Sequence, residues 1–524
     1  MHYFGTMMEW RKLNSLTLSV AAALCLTAAW TWSSLALLIL PGFILSIEVA
    51  RRPNKPLGFL YLVFALWNGA TTYWIAIAHP LGLFATVVVN GALMAFALWF
   101  GVRSSAVLSR WKSLRRMEWL PVIACWMAFE QLHEFWGLSF PWLNLGNVFH
   151  GLPQWVQWYS WTGAVGGTLW VLLMALLWSS ERTSTLLKLS AVLLPILLSL
   201  GLWTLPQSAS EKTISVHVVQ PNIDAYTEKW DLPEHVQIEK VDRLLSQINR
   251  PKADLLVLPE TFLPKAREEV QFGNSVTDRK LTSMLKKHGA VSVFGATTYD
   301  FQYESNVYNR PYGDRFYTLY NSAVFVKEDP GTLEIYHKGK LVVGGETMPF
   351  VRYLQPLLGD WAIELGGTSG TLGVSGQRKV FKADSIGLKL APVICWENEF
   401  SDYATDYSRL GANLISVITN DGWWGNTPGH VQHLNFSGLR AIEQNKYVVR
   451  SANTGISAII SSKGEILQRL GWDEEGVLTA EVPLIEGQTL YVRTGNILGP
   501  IMVVVFFVNL FVILISRFFR LKPR

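Results

Sequence analysis

Charge is scarce in this chain. Lys, Arg, Asp and Glu make up only 16% of its 524 residues, while half of them are hydrophobic and 23 are Trp; about 25% charged is usual for a soluble domain. That balance excludes an ordinary soluble enzyme and points to a membrane protein. Cysteine is scarce too. Only Cys25, Cys125 and Cys395 occur, which leaves no disulfide framework to build on. There is no glycine-rich phosphate loop, no GxGxxG after a strand and no repeat of solenoid period, so a nucleotide fold or a repeat array has no support.

What is present falls into three parts. Apolar runs fill residues 1–205 and 491–524, and residues 206–490 have the composition of one large soluble domain. Candidate membrane spans lie at 15–32, 33–49, 57–78, 81–100, 119–132, 162–178, 186–205 and 497–516, the run at 119–132 being the weakest. The first two follow each other without a small-residue cleavage site leading into polar sequence, so they read as an uncleaved hairpin and not as a signal peptide.

Basic residues cluster at Arg11/Lys12, at Arg51/Arg52/Lys55, between Arg103 and Arg116, at Arg182/Lys188 and from Arg517 to Arg524, whereas the alternate loops at 79–80 and 135–161 hold no Lys or Arg. The positive-inside rule puts those clusters in the cytoplasm and the domain at 206–490 on the opposite face. The net charge of +5 is then a matter of topology and no argument for a nucleic-acid partner. The stretch 135–161 is crowded with aromatic residues and reads either as an interfacial belt or as a greasy platform for the outer domain. Asn68 and Glu48 receive no role.

The central domain alternates strand-like and helical patterns. Strands are expected over 213–223, 253–260, 290–299, 321–326, 388–395, 413–420, from 448 and from 457, with helices over 236–248 and 278–288. Several of the strands are continuous apolar runs, as in sheets covered on both faces.

The stretch LKLAPVICWENEF, from Leu388 to Phe400, draws the eye because an apolar run ends in Cys395 and acids follow at once. Such a strand-to-turn junction exposes a nucleophile at a sheet edge, although a lone Cys after an apolar run is also ordinary core. An unpaired thiol on an oxidising face is a liability unless it is used or deeply buried. A thiol nucleophile needs a base and a cation. His217 and His288 are poorly placed, and His430 with His433 form an HxxH pair lacking a third metal ligand of matching spacing. Better candidates are Glu260, ending the run ADLLVLPE, Lys338, ending the run LEIYHK with Lys340 two residues later, and Glu346 in the turn GGETMPF. Taken singly, Glu260 also reads as a helix-start acid and Lys338/Lys340 as a solvated basic pair.

In order, LPET with Glu260, YHKGKL with Lys338 and ICWE with Cys395 resemble the Glu-Lys-Cys triad of the nitrilase superfamily of carbon-nitrogen hydrolases. Together with the membrane runs, the chain resembles the apolipoprotein N-acyltransferases within it. That resemblance extends over FPWLNLGN from Phe140, QPNI to KWD ending at Trp230 and Asp231, TNDGWWG from Thr419, the run from Gln432 to Gly455 and TLYVRTGN from Thr489. Two departures stand out: LVVGGE replaces the family's common LVPFGE, and Trp396 takes the place of a frequent Tyr.

The resemblance implies a polytopic α-helical membrane bundle of about eight spans carrying an extracytoplasmic nitrilase-like αββα sandwich. It implies an N-acyltransferase of the bacterial inner membrane that acts as a monomer. A phospholipid donates its acyl chain to a Cys395 thioester, and the α-amine of a lipoprotein's N-terminal S-diacylglyceryl cysteine accepts it. Glu260, with its pKa raised by burial, would be base and then acid. Lys338 would depress the thiol pKa and hold the oxyanion. Glu346 would support Lys338, while Trp230, Trp396 and Glu397 would line the cleft and Trp424 its greasy wall. No metal or organic cofactor is implied. Two rival readings are a membrane-tethered amidase or nitrilase acting on small amides and a non-enzymatic receptor or transporter.

Overall fold

The structure, a computed structural model, describes residues 13–111, 117–206, 212–249, 252–327, 333–351, 353–354 and 371–518. Arg11, Lys12, Lys112, Arg115, Arg116, Arg520, Lys522 and Arg524, on which part of the expected orientation rests, lie outside the described residues. Two compact units form, one from described residues within 1–76, 80–202 and 496–524, the other from those within 77–79 and 203–495.

The first unit is helical. Its elements are α1 (Ser15–Thr31), a 3-10 turn (Ser33–Leu38) leading into α2 (Ile39–Arg51), α3 (Pro56–Thr72), α4 (Gly91–Leu108), α5 (Leu120–His133), α6 (Ala164–Ser179) and α7 (Thr185–Thr204), with a C-terminal helix (Leu498–Phe518). Among the described residues, four helical stretches are long and apolar enough to cross a membrane: Ser33–Arg51, Pro80–Leu108, Thr185–Thr204 and Leu498–Ser516. α1 and α6 are apolar but shorter, and α5, at 14 residues, falls short of the roughly 20 that a bilayer needs.

Part of the aromatic stretch 135–161 is packed as core of this unit and is not an interfacial belt. Trp142, Leu145, Phe149 and Tyr159 are fully buried. One acid holds the stretch in place. Glu130 of α5 accepts hydrogen bonds from Trp126 Nε1 at 2.8 Å, Leu145 N at 2.8 Å and Thr168 Oγ1 of α6 at 2.7 Å. Gly146 is needed beside it, because a Cβ there would lie 1.8 Å from the Ala164 carbonyl oxygen.

The second unit contains two sheets. The first has the order β14-β1-β2-β4-β6-β5, with β3 added to β4 and β7 to β6. Its strands are β1 (Thr213–Gln220), β2 (Ala253–Val257), β3 (Leu263–Glu268), β4 (Gly289–Gln302), β5 (Arg310–Tyr312), β6 (Arg315–Val326), β7 (Leu333–His337) and β14 (Gly476–Pro483). The second has the order β13-β12-β11-β10-β9-β8, from β8 (Phe381–Ala383), β9 (Leu388–Ile394), β10 (Leu414–Thr419), β11 (Val448–Ala452), β12 (Ala458–Ile460) and β13 (Ile466–Arg469). β1, β2 and β4 run parallel, as do β9, β10 and β11.

Helices α8 (Glu234–Ser246) and α9 (Val276–His288) cover the first sheet. Ile238, Val241 and Leu245 from α8 and Leu281 and Leu285 from α9 pack on Val219, Leu256 and Phe294. α9 carries its own start and stop: Ser275 accepts from Asp278 N at its N-cap, and Lys286, Lys287 and His288 fill its last turn, where cations favour the helix dipole. α10 (Ser401–Arg409) and α11 (Pro428–Gln444) cover the second sheet.

The two sheets meet face to face, with Ser451 Oγ donating to the Val219 carbonyl at 2.7 Å and Ser457 N donating to Gln220 Oε1 at 2.8 Å. Both faces of β10 and β11 are therefore covered, which is why both strands are buried throughout, the polar Ser416, Thr419, Arg450 and Ser451 included. This layering turns the ends of β2, β7, β9 and β10 toward one site.

Candidate active site

Ligands of parallel sheets gather outside the carboxyl ends of the strands. Glu260 leaves β2 through a tight turn in which Thr261 has φ +45°. β4 approaches this turn so closely that a Cβ on Gly295 would lie 2.3 Å from Thr261 N and 2.5 Å from Glu260 Cα. Cys395 follows β9 directly and itself has φ +46°, a left-handed conformation that costs a non-glycine residue about 1–2 kcal/mol and thrusts the side chain out of the strand. Lys338 follows β7, with its N–H donating to the Asn321 carbonyl of β6 at 2.8 Å.

These three residues come together. Lys338 Nζ lies 3.0 Å from Glu260 Oε1 and 2.9 Å from Glu346 Oε2. Asn321 Nδ2 donates to both carboxylates, at 2.7 Å to Glu260 Oε1 and 2.7 Å to Glu346 Oε1. Cys395 is within electrostatic reach of Glu260 and Lys338. The loop LVVGGE still delivers its acid: Gly344 takes φ +81°, and Val342 N donates to Glu346 Oε2 at 2.8 Å. Lys340 is not part of the cluster, because its ammonium packs over the rings of Phe400, at 4.5 Å, and Tyr403, at 5.7 Å.

The electrostatics differ from the sequence expectation. Burial pushes the Glu260 carboxyl upward, but Lys338, Asn321 and Lys229 together pull it below its ordinary value. The resting residue is therefore a carboxylate and not a raised-pKa acid. Burial pushes the Cys395 thiol well up and Glu260 adds to it, against the opposing pull of Lys338 and of a Thr419 hydrogen bond. Burial opposes the Lys338 charge, yet Glu260 and Glu346 hold its pKa well above normal. The resting site thus stores its proton on sulfur, with a base beside it and a permanent cation between two acids.

Glu397 does not line an open cleft. It is fully buried and accepts from Ile394 N at 2.8 Å, Gly339 N at 2.7 Å, Tyr336 Oη at 2.6 Å and Tyr403 Oη at 3.0 Å. Those bonds tie the turn that carries Cys395 to the strand end that carries Lys338. Trp396, 5% exposed, stands edge-on to Phe400 at 6.2 Å. Trp424 is buried and packs edge-on to His433 at 5.4 Å, so it is core beside the site. Trp230 is 48% exposed and is free to meet a ligand.

The HxxH pair divides. His430 lies against Trp472 at 4.6 Å. His433 puts Nδ1 2.9 Å from Asp421 Oδ1 and Nε2 3.3 Å from the Cys395 carbonyl oxygen. Asp421 also takes Arg450 at 2.7 Å and the Thr419 hydroxyl at 2.9 Å. Against its burial, Arg450 and His433 hold the Asp421 carboxyl well below the usual carboxylate range. This fully paired cluster supports Cys395 from behind.

Asn321, Lys229, Thr419 and Asp421 were not singled out from sequence. Asp421 carried two signals, its place after a strand end, which also marked Glu260 and Lys338, and its place in the motif TNDGWWG.

The sequence model of the carbon-nitrogen hydrolase family matches residues 215–490, and that of the apolipoprotein N-acyltransferase N-terminal domain matches residues 19–177. Curated relatives named apolipoprotein N-acyltransferase include proteins from Chlorobaculum tepidum, Brucella melitensis and Pseudomonas syringae. The first is 28% identical over 82% of this chain and 81% of its own. The second is 28% identical over 81% and 78%, and the third 28% identical over 85% of each.

Proposed function

Because the chain belongs to the carbon-nitrogen hydrolase family, we infer that Glu260, Lys338 and Cys395 form a nucleophilic acyl-transfer centre. We assign the chain the reaction named in its curated relatives, N-acylation of lipoproteins. The observation that carries the chemistry is the thiol of Cys395 on a strained turn, beside a carboxylate that is bonded to a buried ammonium. The match of the first unit to the N-terminal acyltransferase domain supports lipid substrates over small amides.

In this reading Glu260 takes the thiol proton as sulfur attacks the ester carbonyl of a phospholipid, and Lys338 with a backbone N–H near Trp396 holds the oxyanion. Collapse expels the lysophospholipid alkoxide, which takes the proton from Glu260. The α-amine of an S-diacylglyceryl cysteine then attacks the thioester. Glu260 removes one amine proton and returns it to the leaving thiolate, so the enzyme is restored after one acyl transfer. The hydrophobic runs cross a bacterial inner membrane about eight times, and residues 206–490 face the extracytoplasmic side, as the distribution of Lys and Arg indicates.

The test is to incubate the purified chain with a phospholipid bearing a labelled acyl chain and a diacylglyceryl-cysteine peptide. Label in an amide on the peptide, lost with Cys395→Ala, is the expected result. Release of ammonia from small amides with no labelled peptide would instead establish the tethered amidase.

A further inference from the structure

Lys229 lies nine residues beyond the end of β1 in the segment that leads to α8. That segment is tightly held. Asp224 Oδ1 accepts from Tyr226 N, Thr227 N and Thr227 Oγ1, and Lys229 N donates to the Asp224 carbonyl. Gln237 Nε2 of α8 donates to the Lys229 carbonyl at 3.1 Å. The side chain is 2% exposed. Among the described residues, the only hydrogen bond of its Nζ is to the backbone oxygen of Glu260, at 3.1 Å. No described carboxylate forms an ion pair with it, yet it acts electrostatically on both Glu260 and Cys395.

A buried ammonium bonded to one neutral carbonyl is a poor structural anchor, because desolvating the charge costs more than that bond returns. The charge count in the site gives it a use. Lys338 stands between two carboxylates, Glu260 and Glu346, which leaves a negative charge in excess beside the thiol that must ionise. Asp421, behind Cys395, adds a further upward push on the thiol, although Arg450 and His433 pair with it locally.

We propose that Lys229 is a positioning residue of the reaction, a second buried ammonium that balances the Glu260/Lys338/Glu346 cluster so that the Cys395 thiolate can form. When the S–H bond breaks and its proton forms an O–H bond on Glu260, the electron pair stays on sulfur. Negative charge moves from one neighbour of Lys229 to another, and Lys229 keeps its protons throughout. The same Nζ contact fixes the carbonyl of the left-handed turn that aims Glu260. Burial also brings the Lys229 ammonium down to about 8, so the counter-charge is present at neutral pH and fades above it.

The proposal rests on Cys395 being the nucleophile, and its test does not require lipid transfer. The full chain in detergent is treated with iodoacetamide across pH 6–10, and modification of the Cys395 peptide is timed by mass spectrometry for wild type, Lys229→Met, Lys229→Gln and Lys229→Arg. The expected result is alkylation slowed at least about tenfold in the Met and Gln variants, the equivalent of one pKa unit on the thiol, with the profile displaced to higher pH and largely restored by Arg. Unchanged alkylation profiles in folded Met and Gln variants would overturn it. So would failure of both to fold while Arg folds, since that assigns a structural counter-charge. Absence of lipid transfer by a wild-type chain whose Cys395 alkylates normally would count against the acyltransferase reading and leave this one standing.

Discussion

Lys338 Nζ lies 3.0 Å from Glu260 Oε1 in a pocket where the lysine side chain is 1% exposed and the acid 7%. At that depth each charge exists only because the other does. Removing one member of a buried pair costs about 3–5 kcal/mol. Lys338→Met, which leaves Glu260 and Glu346 without the cation that bridges them, is expected to lower stability by that much. Glu260→Gln keeps the shape and should cost less. Both should reduce turnover by about a hundredfold or more. Thermal unfolding in detergent, beside an activity assay, separates the two effects, and adding Glu260→Gln to Lys338→Met should recover part of the lost stability.

Gly295 controls the aim of Glu260 from the neighbouring strand. A Cβ there would lie 2.3 Å from Thr261 N, a backbone atom that cannot step aside cheaply. Gly295→Ala is expected to cost about 1–3 kcal/mol through overpacking and to lower kcat more than it raises KM, because the displaced group is the base. A steady-state kinetic comparison with wild type checks this.

Glu397 collects two backbone N–H groups and three tyrosine hydroxyls, of Tyr336, Tyr403 and Tyr407. Glu397→Gln would turn an amide NH2 toward donors, leaving at least one buried N–H or O–H unpaired at about 1–3 kcal/mol. The turn bearing Cys395 should then loosen. Iodoacetamide modification of Cys395 is the readout, and its pH profile should broaden or shift. Tyr403→Phe, which removes one of several donors, should be much milder.

The pH dependence of stability has a definite sign. In the folded chain the Lys229 ammonium is lowered to about 8 from 10.5, so between those values the unfolded chain binds more protons and stability rises with pH. Burial of this charge therefore subtracts up to about 3 kcal/mol below pH 8, and the loss is recovered by about pH 10.5. Lys229→Met should unfold at a higher temperature than wild type at pH 7, with the gap closing as pH is raised. Asp421 behaves in the opposite way. Its depressed pKa contributes stability above the ordinary aspartate range, and that stability is lost as pH falls through the folded value.

Glu260, Lys338 and Cys395 were legible because each ends or follows an apolar strand, and strand ends of an α/β domain converge. Their protonation was not, since the sign of the Glu260 shift depends on Lys338, Asn321 and Lys229, which reach it from three other segments. Asn321 reads in sequence as the first polar residue of an apolar run, and only the pairing of β6 with β7 brings it over both acids. Lys229 stands beside Trp230 in a quoted motif, yet the tryptophan attracted attention and proved half exposed, while the lysine was buried. The family resemblance places Glu397 on a cleft wall, whereas its side chain is fully buried and accepts bonds from within the fold. The aromatic stretch 135–161 reads in sequence as an interfacial belt or a greasy platform, because Trp and Tyr favour an interface. The buried acceptor Glu130 and the closeness allowed by Gly146 draw part of it, Trp142, Leu145, Phe149 and Tyr159 among them, into the core.

The central claim is that Cys395 carries the acyl chain, and the most direct measurement is peptide mass spectrometry of the chain after incubation with a defined phospholipid alone. The account predicts an acyl adduct on the Cys395 peptide that neutral hydroxylamine removes, that is absent in Cys395→Ala, and that disappears when a diacylglyceryl-cysteine peptide is added. A folded chain with reduced Cys395 that acquires no adduct from any phospholipid would contradict it.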